Sequence, residues 1–147
     1  MRILSMVLCI CMVLTLIPAV TIPVSAADSW DTNGNGVLEI LAIGNSFSVD
    51  ALEYAWQIAE DLGIEKIVIG NLYIGGCSLK THATNASGDK AAYTYYYNDN
   101  GTWETTSGYK ISTALSERNW DYVSLQQRSA DSGMESTYNE DLTTLVN

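Results

Sequence analysis

Histidine is almost missing from this sequence: His82 stands alone among 147 residues. Any chemistry that needs an imidazole base has one position to draw on. Cysteine is scarce as well. Cys9 and Cys11 lie in an apolar leader, so Cys77 is the single thiol beyond it. One thiol closes no internal disulfide, and stability must come from an apolar core. Basic residues are few, with 7 Lys and Arg against 17 Asp and Glu, for a formal net charge of −10. That balance argues against nucleic acid and against anionic membrane surfaces as partners. Solubility is the plainest use of the acidity. The chain has no internal repeat, its residue pattern implies no metal or cofactor, and its length allows one domain at most.

The leader has the form of a secretory signal peptide. Met1-Arg2 is a short basic start, residues 3–20 are almost wholly apolar, and Val24-Ser25-Ala26-Ala27 offers small residues for cleavage. Residues 1–26 are therefore expected to be removed, leaving a secreted, extracellular protein with no membrane span. An uncleaved anchor is the rival reading. Leu8 and Ile10 precede the two leader cysteines and are too bulky for a lipobox.

Residues 27–37 form a polar, glycine-rich lead-in. Asp31, Asn33, Asn35 and Gly36 fall at positions 1, 3, 5 and 6 of a calcium-loop pattern. Position 12 is Ala42, where a bidentate Glu is required, so a plain loop is expected. Leu38–Ile43 is an apolar run of strand length, suited to burial on both faces. Leu52, Ala55, Trp56, Ala59 and Leu62 recur at helical spacing and predict one helix over 50–62. Asp50 and Glu53 would form a capping box, and Gly63 a stop. Residues 64–74 supply a second strand centred on Ile67, Val68 and Ile69. Strand, helix, strand makes a βαβ unit and a parallel sheet.

Residues 81–110 depart from this pattern. Tyr93-Thr94-Tyr95-Tyr96-Tyr97, a turn at Asn98-Asp99-Asn100-Gly101 and a returning Thr102–Thr106 predict a surface β-hairpin inserted after the second strand. Its aromatic side chains have two readings: stacking on sugar rings, or cross-strand packing that holds the hairpin. A short helix follows over 111–118, a third strand over 120–126, a polar loop over 128–136 and a helix from Tyr138 to Val146. Cys77 reads as a buried small residue and His82 as a loop residue.

Three segments fall at the C-terminal ends of the three parallel strands, where α/β sheets bind ligands. They are Gly44-Asn45-Ser46-Phe47-Ser48, the run from Asn71 to Ser78, and Leu125-Gln126-Gln127-Arg128-Ser129. Ser46 lies where a strand passes into a helix, as a nucleophile at an ester carbonyl would. It could equally be a helix-entry cap. Gly75-Gly76 is either a tight turn or an oxyanion site, and Gln126 could simply satisfy backbone groups.

On these three blocks the chain resembles the SGNH hydrolases, the superfamily of GDSL-type esterases and many carbohydrate acetylesterases. Gly44-Asn45-Ser46 corresponds to that family's Gly-Asp-Ser block. The resemblance implies a three-layer α/β/α flavodoxin-like domain over 38–147, incomplete at its C-terminal end. It implies Ser46 as nucleophile and as one oxyanion donor, with Gly76 N–H as the second. The third donor is usually the Asn of a Gly-x-Asn-Asp block. This chain has glutamines there, which points to Gln126, with Gln127 in reserve. The Asp-x-x-His block that supplies base and orienter is missing, and His82 is a poor substitute, so the relay is expected beyond Asn147. The implied activity is hydrolysis of a small-molecule or polysaccharide ester, an O-acetylated glycan above all. A non-catalytic carbohydrate-binding or cell-surface module on the same fold is the alternative.

Overall fold

The computed structural model describes residues 30–99 and 101–147. The expected signal peptide at 1–26 lies outside them. Strands β1 (Leu38–Gly44), β2 (Ile67–Tyr73), β3 (Tyr93–Asn98), β4 (Glu104–Tyr109) and β5 (Tyr122–Leu125) form one open sheet in the order β4-β3-β2-β1-β5. Helices α1 (Ser46–Leu52), α2 (Ala55–Asp61), α3 (Leu79–Ser87), α4 (Ile111–Glu117) and α5 (Asn139–Val146) flank it, with a 3-10 turn at Glu135–Thr137.

The sheet is mixed. β1 pairs in parallel with β2 and β5, as the βαβ pattern predicts, whereas β2–β3 and β3–β4 are antiparallel. The hairpin is present, but it extends the main sheet instead of lying on the surface. The reason is the period of two along β3. Tyr93 and Tyr95 point into a core with Leu41, Ile43, Leu72, Ile111 and Ala114. Tyr95 can cross β2 because Gly70 has no side chain. A Cβ there would lie 2.7 Å from the Tyr95 hydroxyl and 3.0 Å from Leu41. The packing reading thus holds for Tyr93, Tyr95 and Tyr97, which belong to this core or pack against it, and Tyr109 stacks on Tyr95.

The opposite face buries Leu38, Ile67, Ile69 and Ala59, with Leu52, Ala55 and Trp56 from the first two helices packed against them. β1 alternates between the two cores, which explains its nearly unbroken apolar sequence. The helix expected over 50–62 is two helices, and the first begins earlier, at Ser46. Asp50 lies inside α1, so it is not a cap, and Leu62 is 73 % exposed. Gly63 does end α2, at φ +80.

The lead-in is pinned by carboxylates. Asp31 accepts the backbone N–H groups of Gly34, Asn35 and Gly36, and Asp121 accepts those of Thr32, Asn33 and Glu39. The buried Glu39 accepts from the Asn33 and Asn35 amides and pairs with Arg118 at 3.0 Å.

Candidate functional site

β1 lies between β2 and β5, so the segments leaving their C-terminal ends emerge side by side, about 4.8 Å apart from strand to strand. The register places Gly44 opposite Tyr73 and Ile43 opposite Leu125. Ser46 is then two residues beyond β1, Gly76 three beyond β2, and Gln126 one beyond β5.

Asn45 joins the three. Its side chain is 1 % exposed and its backbone is extended, at φ −128. Its Oδ1 accepts the Phe47 N–H at 3.1 Å, which makes Asn45, and not Ser46, the cap of α1. Its Nδ2 donates to Cys77 O at 3.1 Å and to Gln127 O at 3.5 Å. Its own N–H donates to Gln126 Oε1 at 3.2 Å. One buried amide therefore ties strand ends separated by up to 82 residues of sequence. Gly44 makes this approach possible, since a Cβ there would lie 2.7 Å from Ser48 Oγ and 2.8 Å from Gln126 Oε1. Ser48 is buried, with Oγ 2.7 Å from Asn45 O and 2.9 Å from Asn71 Oδ1, and this fixes α1 onto β2.

With capping assigned to Asn45, Ser46 has no structural task. It is exposed at the first position of α1, and its hydroxyl makes no hydrogen bond among the described residues. Gly76 is exposed at φ +62 in the turn closed by Cys77 N–H on Ile74 O at 3.2 Å. A positive φ at the third position is a type II turn and explains the glycine by backbone alone, because a Cβ there would meet nothing within 4 Å. Turn and oxyanion readings of Gly76 are therefore compatible.

The two glutamines separate cleanly. Asn45 N–H can only donate, so Gln126 must turn its oxygen toward it, which leaves Nε2 as the free end of the amide. Gln127 is fully committed. Its Oε1 accepts Leu79 N–H and Arg128 N–H, each at 3.0 Å, and its Nε2 donates to Thr137 Oγ1 at 3.0 Å. It anchors the start of α3 and has no donor to spare.

His82 is not a loop residue. It lies within α3 and is fully buried, with Nδ1 2.9 Å from Tyr93 Oη and 3.6 Å from Cys77 Sγ. Its Nε2 has no hydrogen-bond partner. Burial lowers its pKa from 6.5 to about 4 and raises those of the Cys77 thiol and of Tyr93, the latter to about 12. All three are neutral near pH 7, and no carboxylate orients the imidazole. This is a packed polar cluster, and Cys77 is buried as expected.

Asn45, Ser48 and Asn71 were not singled out by the sequence pattern. The signal for Asn45 was present, because Asn ranks with Ser among helix caps. A cavity of about 730 Å³ lies between α3 and α5, bordered by Lys80, Thr84, Arg128, Asp131 and Glu140. Ser78 and Gln127 reach it, but Ser46 and Gly76 do not line it. Among the described residues, no three His, Cys, Asp or Glu side chains are grouped to hold a metal ion. No helix there is long and apolar enough to cross a membrane.

Residues 39–147 match the family described as a domain of unknown function, DUF4886. No curated protein matches the chain. The crystal structure of a DUF4886 family protein from Bacteroides uniformis is similar, with a TM-score of 0.70 and 41 % identity. The likeness covers 74 % of this chain and 42 % of that one, so the chain spans less than half the length of that relative. The family match over 39–147, with this solved structure beside it, settles membership: the chain belongs to the DUF4886 family.

Proposed function

We propose that the protein is a secreted serine ester hydrolase of the SGNH type, with Ser46 as nucleophile. The observation that carries the reading is the division of labour at the end of β1. Asn45 caps the helix, so the neighbouring hydroxyl is left exposed and uncommitted beside the ends of β2 and β5. The parallel trio β2-β1-β5 is the part of the sheet that supports an SGNH-like architecture, and β3-β4 extends it on one side.

In this reading Ser46 Oγ forms a bond to the ester carbonyl carbon, and its proton passes to a base. The carbonyl π-electrons move onto oxygen. Gly76 N–H and Gln126 Nε2–H, with Ser46 N–H, hold that oxyanion. Collapse expels the alcohol, which takes the proton from the base. Water then attacks the acyl-serine and releases the acid. Groups of this type suit charge development, since backbone and carboxamide N–H groups donate at any pH. A donor of this kind contributes about 2.7–4 kcal/mol in comparable sites.

The base is not His82, whose Nδ1 is bonded to Tyr93 and whose burial lowers its pKa. The reading requires a histidine and a carboxylate as relay, which residues 38–147 do not supply in this arrangement. Small-molecule or polysaccharide esters, O-acetylated glycans first among them, are the substrates. Fold analogy carries that last choice. The test is turnover of 4-nitrophenyl acetate by the whole protein. Ser46→Ala is expected to abolish it, and undiminished turnover in that variant ends the reading.

A further inference from the structure

A second concave surface lies along α1, on the opposite face of the sheet from the His82 cluster. It encloses about 380 Å³ and is lined by Val49, Leu52, Glu53, Tyr96, Trp103 and Thr105. That volume is at the small end of the range for ligand pockets. Two of the chain's exposed large apolar side chains, Val49 at 39 % and Trp103 at 38 %, gather here. Large apolar side chains grouped around a cavity mark a binding surface more than scattered ones do.

The aromatic residues that build it differ from the other hairpin tyrosines. Tyr93, Tyr95 and Tyr97 turn to the core face, whereas Tyr96 turns to the α1 face by the period of two. Tyr96 packs against Tyr73 with ring centroids 5.8 Å apart. Tyr73 Oη in turn lies where a Cβ at Gly75 would come within 3.0 Å. The aromatic pair therefore links this cavity to the turn that carries Gly76. The helix makes a second link. Ser46, Val49 and Glu53 recur at i, i+3 and i+7, so they share one stripe, with Val49 about 4.5 Å along the axis from Ser46.

We infer that this cavity is a subsite for a neutral pyranose ring of a glycan, held between Trp103 and Tyr96 within about one sugar length of Ser46. Aromatic faces suit the C–H face of a sugar, and a ring with hydroxyls at its edge suits a rim holding a carboxylate and a hydroxyl. Glu53 disfavours an anionic ring or a phosphate. The inference deepens the esterase reading and names the alcohol side of its substrate.

The experiment separates the two. Binding of xylotetraose, cellotetraose and tetra-N-acetylchitotetraose to the Ser46→Ala protein is measured by titration calorimetry, where no turnover is needed. At least one is expected to bind saturably, about tenfold more weakly after Trp103→Ala, and within about threefold of the parent after Trp103→Phe, which keeps an aromatic face. Trp103 lies in the β3–β4 connection and is half exposed, so its removal leaves the core intact. No binding of any of the three, or equal affinity after Trp103→Ala, overturns the subsite. Aryl acetate turnover by the whole protein, with Ser46 in place, reports on that residue independently. Turnover without glycan binding sinks the subsite alone, and glycan binding without turnover sinks the esterase alone.

Discussion

Lowering the pH from 7 to 4 should unfold this domain more easily through one residue. His82 is buried within α3, and burial lowers its pKa from the ordinary 6.5 to about 4. In the unfolded chain it takes up a proton as the pH falls through about 6.5, whereas the folded protein refuses that proton until about 4. Over that window the unfolded state binds more protons, so stability declines with falling pH and levels off below it. At 1.36 kcal/mol for each pH unit, a fall from 6.5 to about 4 amounts to about 3 kcal/mol. That is a large share of the stability of a small domain. Other groups with shifted titration do not blur the window. Cys77 and Tyr93 are uncharged throughout it. Asp89 is held below its ordinary value by Lys110 and Ser112. Asp121 is pushed up by burial, but hydrogen bonds from Glu39, Thr32 and Asn33 outweigh this and leave it lowered. The stability these two confer is lost below 3.8 as they protonate. Urea unfolding followed by circular dichroism, at pH steps from 7.5 to 4, measures the effect. His82→Asn keeps a polar partner for Tyr93 but does not titrate. Its deficit against the parent should shrink by about 3 kcal/mol between pH 7 and 4. Parallel curves for parent and variant would refute the reasoning.

Other outcomes follow from the same geometry. Gln126→Glu keeps an acceptor for Asn45 N–H but removes the Nε2 donor, so ester turnover should fall about 10²–10³-fold in kcat; unchanged kcat would remove Gln126 from the oxyanion site. Asn45→Ala deletes a cap and strands buried acceptors at once, and a loss of about 2–3 kcal/mol in thermal unfolding is expected. Gly70→Ala drives a methyl group against Tyr95 and Leu41 and should cost about 1–3 kcal/mol, whereas Gly76→Ala meets no atom and is strained only through its positive φ.

The sequence revealed the elements whose apolar period is strong. β1, β2 and β3 stand where apolar runs and turn residues place them, whereas β4 begins two residues later than expected and runs on to Tyr109. What it obscured was how they join. Tyr93-Thr94-Tyr95 reads as a surface ribbon because tyrosine serves both water and core, and only Gly70 beneath Tyr95 decides between them. The stripe through 52, 55, 56 and 59 reads as one helix, but Glu53 and Tyr54 interrupt it. At the candidate site, the positions of Ser46, Gly76 and Gln126 just beyond strand ends were legible. Asn45 was not, since two cap-forming residues stand in succession and sequence alone leaves the choice open. His82 reads as a loop residue because residues 79–87 are too polar to look like a buried helix.

Ester hydrolysis at this site requires that the Ser46 hydroxyl be free to attack, with capping left to Asn45. The direct measurement is peptide mass spectrometry after treating the whole protein with a fluorophosphonate, a reagent that phosphonylates activated serines. A stable adduct on Ser46 is expected, with loss of ester turnover in step with labelling. Full labelling-resistant turnover, or an adduct on another serine alone, would contradict it.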